Sequence, residues 1–490
     1  MELEFEKQEL SCLRRITGDT VTGEQTQEVR LPEGMPDALS VVAVWGQVLL
    51  RSKEWRSGGM NVSGGVMAWV LYSAEDGSLH SVDAWLPFQM KWDFPEPGRD
   101  GRICAWGCLQ SMDARCLSAR KLMLRSNVTL CGQAYVKDIV TLPEARQLPE
   151  DIALKMPTYP MRLIKEVGEH AFSLEETLAV PDMDACVYHT VEPVITEQRV
   201  MGDKLVFRGV AKVHMLCLKD GMPESWDGEL PFSQFCDLEG VFEQDAQGYL
   251  IPAITAMELE KDEGGSLILK CGITCQYVIT DRKMLALPED SYSTQREVKL
   301  RKMEAEIPCV LQQESHSLPV ACNLPCEGAR IIDGSVCPGH GIYDRSEKCY
   351  CMPLWGQLLL VDPEGKVKCE SCRWEEKLQM VADDGIRPGI FGEMENFHWT
   401  LTPDGGELRG EMRLQELTDT VSLMPVLTGM EIGEATKKDP NRPSLILRRL
   451  GQESLWDVAK SCRTTVSAIE SANNLTDDCA PNKMLIIPIH

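Results

Sequence analysis

Along residues 267–279 apolar and polar positions alternate with a period of two. Leu267, Leu269, Cys271, Ile273, Cys275, Tyr277 and Ile279 share one side, with Lys270, Thr274 and Gln276 between them. Successive side chains of a strand point to opposite faces, so the pattern predicts a ribbon buried on one face. Phe207, Gly209, Ala211, Val213 and Met215 alternate likewise with Arg208, Lys212 and His214, and Asp220-Gly221 then supplies a hairpin turn. Two half-buried ribbons need each other to cover their apolar faces, which predicts a small β-sandwich-like domain.

The pattern recurs. The stretch from Gly65-Val66 through Asp76-Gly77 to Leu86-Pro87-Phe88 aligns without gaps to Gly209-Val210 through Asp220-Gly221 to Leu230-Pro231-Phe232. Nine of its 24 positions are identical, against roughly one or two from composition alone. Duplication explains this, and Met112, Leu122, Leu124 and Val128 continue the match to Met257, Leu267, Leu269 and Ile273. Each copy starts at a proline, in Val29-Arg30-Leu31-Pro32 and Leu178-Ala179-Val180-Pro181. A degenerate third copy is expected from Cys322-Asn323-Leu324-Pro325, the apolar run Trp355 to Val361, the turn Asp362-Pro363-Glu364-Gly365 and Asp404-Gly405-Gly406.

The expected division is a first repeat over 1–142, a linker over 143–171, a second repeat over 172–304 and a third over 305–433. Pro143, Pro149, Pro157 and Pro160 mark the linker, which has room for a helical turn around Met161 to Glu169. A second linker over 434–444 carries Pro440 and Pro443, and the pattern then changes. Leu445-Ile446-Leu447 reads as a strand, and Ser454-Leu455-Trp456-Asp457 as a capping box opening a helix with Leu455, Val458 and Ala459 on one face. A second helix from Thr464 or Thr465 carries Val466, Ile469 and Ala472 and ends at Asn473-Asn474; Met484 to Pro488 is a closing strand. The fold class expected is therefore mainly β, with tandem β-sandwich-like repeats followed by a small α+β unit of βααβ order over 445–490.

That terminal unit resembles the LysM family through Leu455-Trp456, Asn473-Asn474-Leu475, Pro481, Leu485, Ile487 and Pro488. The resemblance implies a shallow groove for N-acetylglucosamine polymers, formed here by Gln452, Glu453 and Ser454 facing Asn474, Leu475, Thr476 and Asp477. Two departures bear on it: Gln452-Glu453 replaces the usual Gly-Asp, and Asn482 the usual Gly. Trp456 is expected to pack the core of the unit, with its edge open to a partner as the other reading.

The repeats resemble the SPOCS domain of spore coat proteins, through Phe172 to Pro181, Gly209-Val210 and Glu229-Leu230-Pro231-Phe232, with Leu31-Pro32, Gly65-Val66 and Leu86-Pro87-Phe88 as first-copy counterparts. Tandem SPOCS domains followed by LysM resemble the SipL type of coat morphogenetic protein and, more distantly, the SpoVID type. That resemblance implies a non-enzymatic scaffold at the forespore surface in the mother-cell cytoplasm. It would bind a SpoIVA-like basal coat protein through the LysM region, contact other coat proteins and promote coat attachment and encasement. The alternative is binding of peptidoglycan or chitin-like glycan.

Charge narrows the partners. With 50 basic and 75 acidic side chains the net charge is -25, which repels phosphate backbones and anionic lipid, so nucleic acid is not expected. Met1 to Lys7 has neither the basic nor the apolar region of a secretory signal, and no run approaches 18 apolar residues, so no direct membrane insertion is expected.

Twenty cysteines are many for a cytosolic chain. They read either as small buried apolar residues or as thiols held for later crosslinking. Cys349, Cys351, Cys369 and Cys372 form the one weak metal candidate, two close thiol pairs that could build a tetrahedral zinc site, and packing is the preferred reading. No Walker A, HExxH, GxSxG or helix-opening GxGxxG motif occurs, so neither catalysis nor a cofactor is expected.

Overall fold

The computed structural model describes residues 1–16, 20–56, 59–93, 100–145, 147–180, 183–263, 265–324, 326, 328–380, 387–402, 405–435, 443–475 and 484–489. The first strands are β1 (Glu2–Glu4), β2 (Glu6–Ile16), β3 (Thr20–Arg30), β4 (Ala38–Arg56), β5 (Gly59–Ala74), β6 (Leu79–Asp93), β7 (Gly101–Ser118) and β8 (Lys121–Glu144). Next come β9 (Ile152–Lys155), β10 (Thr158–Leu178), β11 (Ala185–Lys219), β12 (Met222–Phe242), β13 (Gln247–Lys261), β14 (Leu267–Ala286) and β15 (Asp290–Ser293). They are followed by β16 (Arg296–Leu324), β17 (Arg330–Pro338), β18 (Ile342–Asp344), β19 (Cys349–Val361), β20 (Val367–Gln379), β21 (Arg387–Thr402) and β22 (Gly405–Ala435). The chain then runs through β23 (Leu445–Arg449), α1 (Leu455–Cys462), α2 (Val466–Asn473) and β24 (Met484–Pro488), so the fold is mainly β.

One antiparallel pairing scheme occurs three times. In unit 1, β2 and β3 pair with β8 of the β7–β8 hairpin, and the chain between them forms the sheet β4-β5-β6. In unit 2, β10 pairs with β14 of the β13–β14 hairpin and encloses β11–β12. In unit 3, β16 pairs with β22 of the β21–β22 hairpin and encloses β17, β19 and β20. The two sheets of a unit meet face to face: Ala211, Val213 and Met215 pack against Leu267, Leu269, Cys271 and Ile273. All seven alternating positions from Leu267 to Ile279 are buried, as their period requires.

Several boundaries differ from the sequence expectation. The stretch 143–171 is no bare connector, because it carries β9 and most of β10, with Met161, Leu163, Ile164 and Val167 buried. The region Met161 to Glu169 is strand rather than helix. Pro160 is tolerated because the start of β10 pairs with β14 on one side only, β2 meeting it at Ile164↔Leu13. The limits at 171/172 and 304/305 fall inside β10 and β16. Pro181, Pro325, Asp404 and residues 436–442 lie outside the described residues.

The gapless match of the first two copies also slips by one position in space. Asp220 (φ 52°) and Gly221 (φ 75°) close a two-residue turn between Lys219 and Met222. Asp76-Gly77 instead belongs to a longer connection closed by Ala74 N–H donating to the Ser78 carbonyl at 2.9 Å. As a result Gly209 sits opposite Phe232, whereas Gly64 and not Gly65 sits opposite Phe88. At both glycines an added Cβ would run into a neighbouring carbonyl oxygen, that of Leu49 or of Val194.

The units are not beads on a string. β1 adds to the sheet of unit 3 through Glu2↔Glu431, and Leu13↔Ile164 joins the sheets of units 1 and 2. One apolar cluster gathers Trp45, Trp69, Tyr188, Leu216, Ile332 and Leu359, and a second gathers Tyr135, Ile164, Tyr249, Val310, Phe391 and Leu417. Each cluster draws on all three units, so burial is shared around a common centre.

Candidate functional site

The C-terminal stretch holds β23, α1, α2 and β24 in that order. β23 and β24 pair from Leu445↔Pro488 to Arg449↔Met484. Ser454 caps α1, its Oγ accepting from Asp457 N–H at 3.2 Å while its own N–H donates to the Asp457 carboxylate at 3.1 Å. Thr465 caps α2, and Asn474 ends it in a left-handed conformation (φ 50°). Leu455, Val458, Ala459, Ile469, Leu485 and Ile487 form the core; Val466 packs at its edge and Ala472 is exposed.

Of the groove residues expected from sequence, Gln452, Glu453 and Ser454 are exposed, Asn474 is exposed and Leu475 leans on the core. Thr476, Asp477 and Asn482 lie outside the described residues. Glu453 is held by Arg448 at 2.6 Å and Ser454 by its capping role, which engages two of the three side chains on the first loop.

Trp456 is half-buried at the edge of this core and also reaches beyond its own unit. Its ring meets Tyr292 edge-on at 4.8 Å, and its Nε1 donates to Asp290 Oδ2 at 2.8 Å. Lys460 Nζ reaches the same carboxylate at 2.7 Å, and the Tyr292 hydroxyl donates to the Thr464 carbonyl at 2.8 Å. The unit is thereby docked on β15, which pairs with β9 from the stretch read as a linker. Its opposite face is open. Leu445, Leu447, Met484 and Ile486 line the outer side of β23 and β24, with Leu447 70% and Leu445 59% exposed.

The thiol pairs do not converge. On the β19–β20 hairpin Cys351 lies opposite Lys377 and Cys372 opposite Gly356, so the pairs occupy separated rungs of the ladder. Cys349 Sγ lies 3.5 Å from Cys351 Sγ, while Cys372 Sγ lies 2.8 Å from Cys322 Sγ on β16.

A further candidate joins residues far apart in the sequence. A cavity of about 740 Å³ lies where the three units meet, lined from β4 and β7, from β11, β12 and β13, and from β17 and β21. β7, β13 and β21 each carry a bulge at this point, after Leu109, Ile254 and Met394. A bulge re-aims the side chains beside it. Trp45 and Tyr188, stacked at 4.4 Å, bound the cavity together with Trp106, Trp355 and Phe391.

Charged groups converge there from different units. Glu393 of unit 3 is buried and accepts from Arg413 at 2.7 Å; Glu192 of unit 2 accepts from Met394 N–H at 3.1 Å. Burial raises Glu192 to about 7, helped by the charge of Glu393 and opposed by Lys212. Burial likewise raises Glu393 to about 7 against the pull of Arg413. Burial would lower His214, but Asp227 at 2.7 Å and Asp333 at 3.0 Å raise it to about 10, which keeps it a cation. A local hint existed in the sequence: Glu192 and Glu393 interrupt apolar runs, in Val191-Glu192-Pro193-Val194 and Ile390-Phe391-Gly392-Glu393-Met394.

Searches of curated proteins and of solved structures gave no match. A family model described as SipL, SPOCS domain, matches residues 182–260, a stretch that covers β11, β12 and nearly all of β13 and supplies the unit 2 wall of the cavity. Over this stretch the chain is similar to the SPOCS domain of SipL, a likeness that relates it to sporulation and the spore coat.

Proposed function

We propose that this protein is a non-enzymatic scaffold of the spore coat. Its three pairing units act as SPOCS domains, and its C-terminal unit acts as a LysM module that binds a SpoIVA-like basal coat protein. It works in the mother-cell cytoplasm at the forespore surface, where it contacts further coat proteins and promotes coat attachment and encasement. The observation that carries this reading is the open apolar stripe Leu445, Leu447, Met484 and Ile486 on a small unit whose other side is already docked. Contiguous apolar surface of this kind favours a protein partner.

Glycan binding is the second reading. A sugar polymer is recognised by polar groups with an aromatic platform, but Trp456 faces Tyr292, and Glu453 and Ser454 are engaged within the unit.

The test is capture of a SpoIVA-like protein by the full chain and by Leu447→Glu and Ile486→Glu. Loss of capture with an unchanged melting temperature supports the reading, and undiminished capture by both variants refutes the assigned surface. Calorimetry with chitin oligomers at millimolar concentration separates the glycan alternative.

A further inference from the structure

We infer that the cavity between the three units binds a small organic cation, an alkylammonium or guanidinium group carried on a slim chain. This inference is independent of the coat partner and concerns a different face of the molecule. At about 740 Å³ the cavity is far larger than a single ion needs and falls within the range of small-molecule sites.

Its walls suit a cation on two counts. Trp45, Trp106, Tyr188, Trp355 and Phe391 are among its lining residues, and the quadrupole of an aromatic ring attracts a positive charge out of water. Among the charged residues lining it, Glu192, Asp227, Glu229, Glu393 and Glu395 outnumber Lys212 and His214.

Glu393 supplies the anchor. It is 4% exposed and has one oxygen engaged by Arg413, while its Oε1 is buried without a hydrogen bond of ordinary geometry among the described residues, the Gln415 side chain exerting a weaker pull than Arg413. A buried acceptor without a donor is costly, and a ligand N–H would relieve that cost. Glu192, on the facing unit, uses one oxygen for the Met394 N–H. A bare metal ion fits less well: among the described residues no group of three His, Cys, Asp or Glu is arranged to hold one. An anion would meet the excess of carboxylates.

The test is calorimetric titration of the full chain with spermidine and with agmatine. The work is done at about 0.15 M salt, so that the acidic surface does not gather polycations nonspecifically. One-to-one saturable binding of at least one probe is expected, weakened about tenfold or more by Glu393→Gln and by Glu192→Gln. The exposed-site control Glu304→Gln should leave binding unchanged. Melting curves of both cavity variants establish that they are folded, and either folded variant suffices. Absence of saturable heat with both probes at millimolar concentration overturns the inference, as does equal affinity in a folded Glu393→Gln or Glu192→Gln chain.

Discussion

Trp456 Nε1 donates to Asp290 Oδ2 across 166 residues of chain and fastens the C-terminal unit to β15. Lys460 shares the carboxylate, and the Asp290 acid is held below the usual range because these two hydrogen bonds outweigh its burial. Trp456→Ala should therefore loosen the unit rather than unfold it. The half-buried ring predicts a loss of roughly 2 kcal/mol, and Asp290→Ala, which strands two donors, about 1–3 kcal/mol. Limited proteolysis should release the C-terminal unit faster from either variant, with the β units still intact. Unchanged cleavage would mean that the contact does not restrain the unit.

How far the sequence foretold these features depends on how local each one is. Strand alternation from Leu267 to Ile279 and the capping box at Ser454 depend on near neighbours, and both are realised. The stack of Trp45 on Tyr188 and the approach of Glu192 to Glu393 join residues on different units. No periodicity encodes such meetings. Pro160 misled, because the start of β10 pairs with β14 alone and an unpaired side accepts a proline that a fully paired strand rejects. For Trp456 the helical position indicates packing against the core of its unit, but it cannot show the further contact with Tyr292 and Asp290 on β15.

Gly64 and Gly209 occupy rungs where a phenylalanine ring lies across the hairpin and a carbonyl oxygen lies beside the Cα. Gly209→Ala should drive a methyl group into the Val194 carbonyl and the Phe232 ring, costing about 1–3 kcal/mol through overpacking. Gly64→Ala should cost a similar amount. Gly77→Ala meets no atom within 4 Å but holds a left-handed backbone (φ 82°), so its cost is conformational and smaller, on the order of 1 kcal/mol. Urea denaturation of the three variants would reveal this order, and a larger loss at Gly77 than at Gly209 would contradict it.

Cys322 and Cys372 hold their sulfurs 2.8 Å apart on β16 and β20, the two faces of unit 3. Exchange with oxidised glutathione should join them as a disulfide and release two glutathione thiols. Burial pushes Cys372 up to about 12, so little thiolate is present near neutrality and the exchange should quicken as pH rises. Closing a loop of about 50 residues could stabilise the chain by up to roughly 4 kcal/mol. Peptide mapping without reductant should show this link before any that joins Cys351 to Cys369. Cys372→Ser should abolish the link and its stabilisation together.

Glu192, Glu393 and His214 make stability fall as pH rises. Each glutamate titrates near 4.5 when unfolded and about 7 when folded, so the native chain keeps protons that the unfolded chain has released. Their contribution is complete below pH 4.5 and is lost as pH climbs through 7. His214, raised from 6.5 to about 10, extends the same slope: its contribution is complete below 6.5 and is lost through 10. Asp227 and Asp290 act oppositely, since their lowered values give stability that is present above about 3.8 and lost on further acidification. On these groups the optimum should therefore lie at about pH 4, above the range where the aspartates protonate and below the range where the glutamates ionise. Between pH 5 and 8 the glutamate pair should account for a decline on the order of 1–3 kcal/mol. Urea midpoints across this range should show that decline in the native chain and a flatter profile in Glu393→Gln. His214→Gln should instead flatten the limb above pH 7. Midpoints that rise from pH 5.5 to 8 would mean that the two carboxylates do not share a buried, mutually repelling environment.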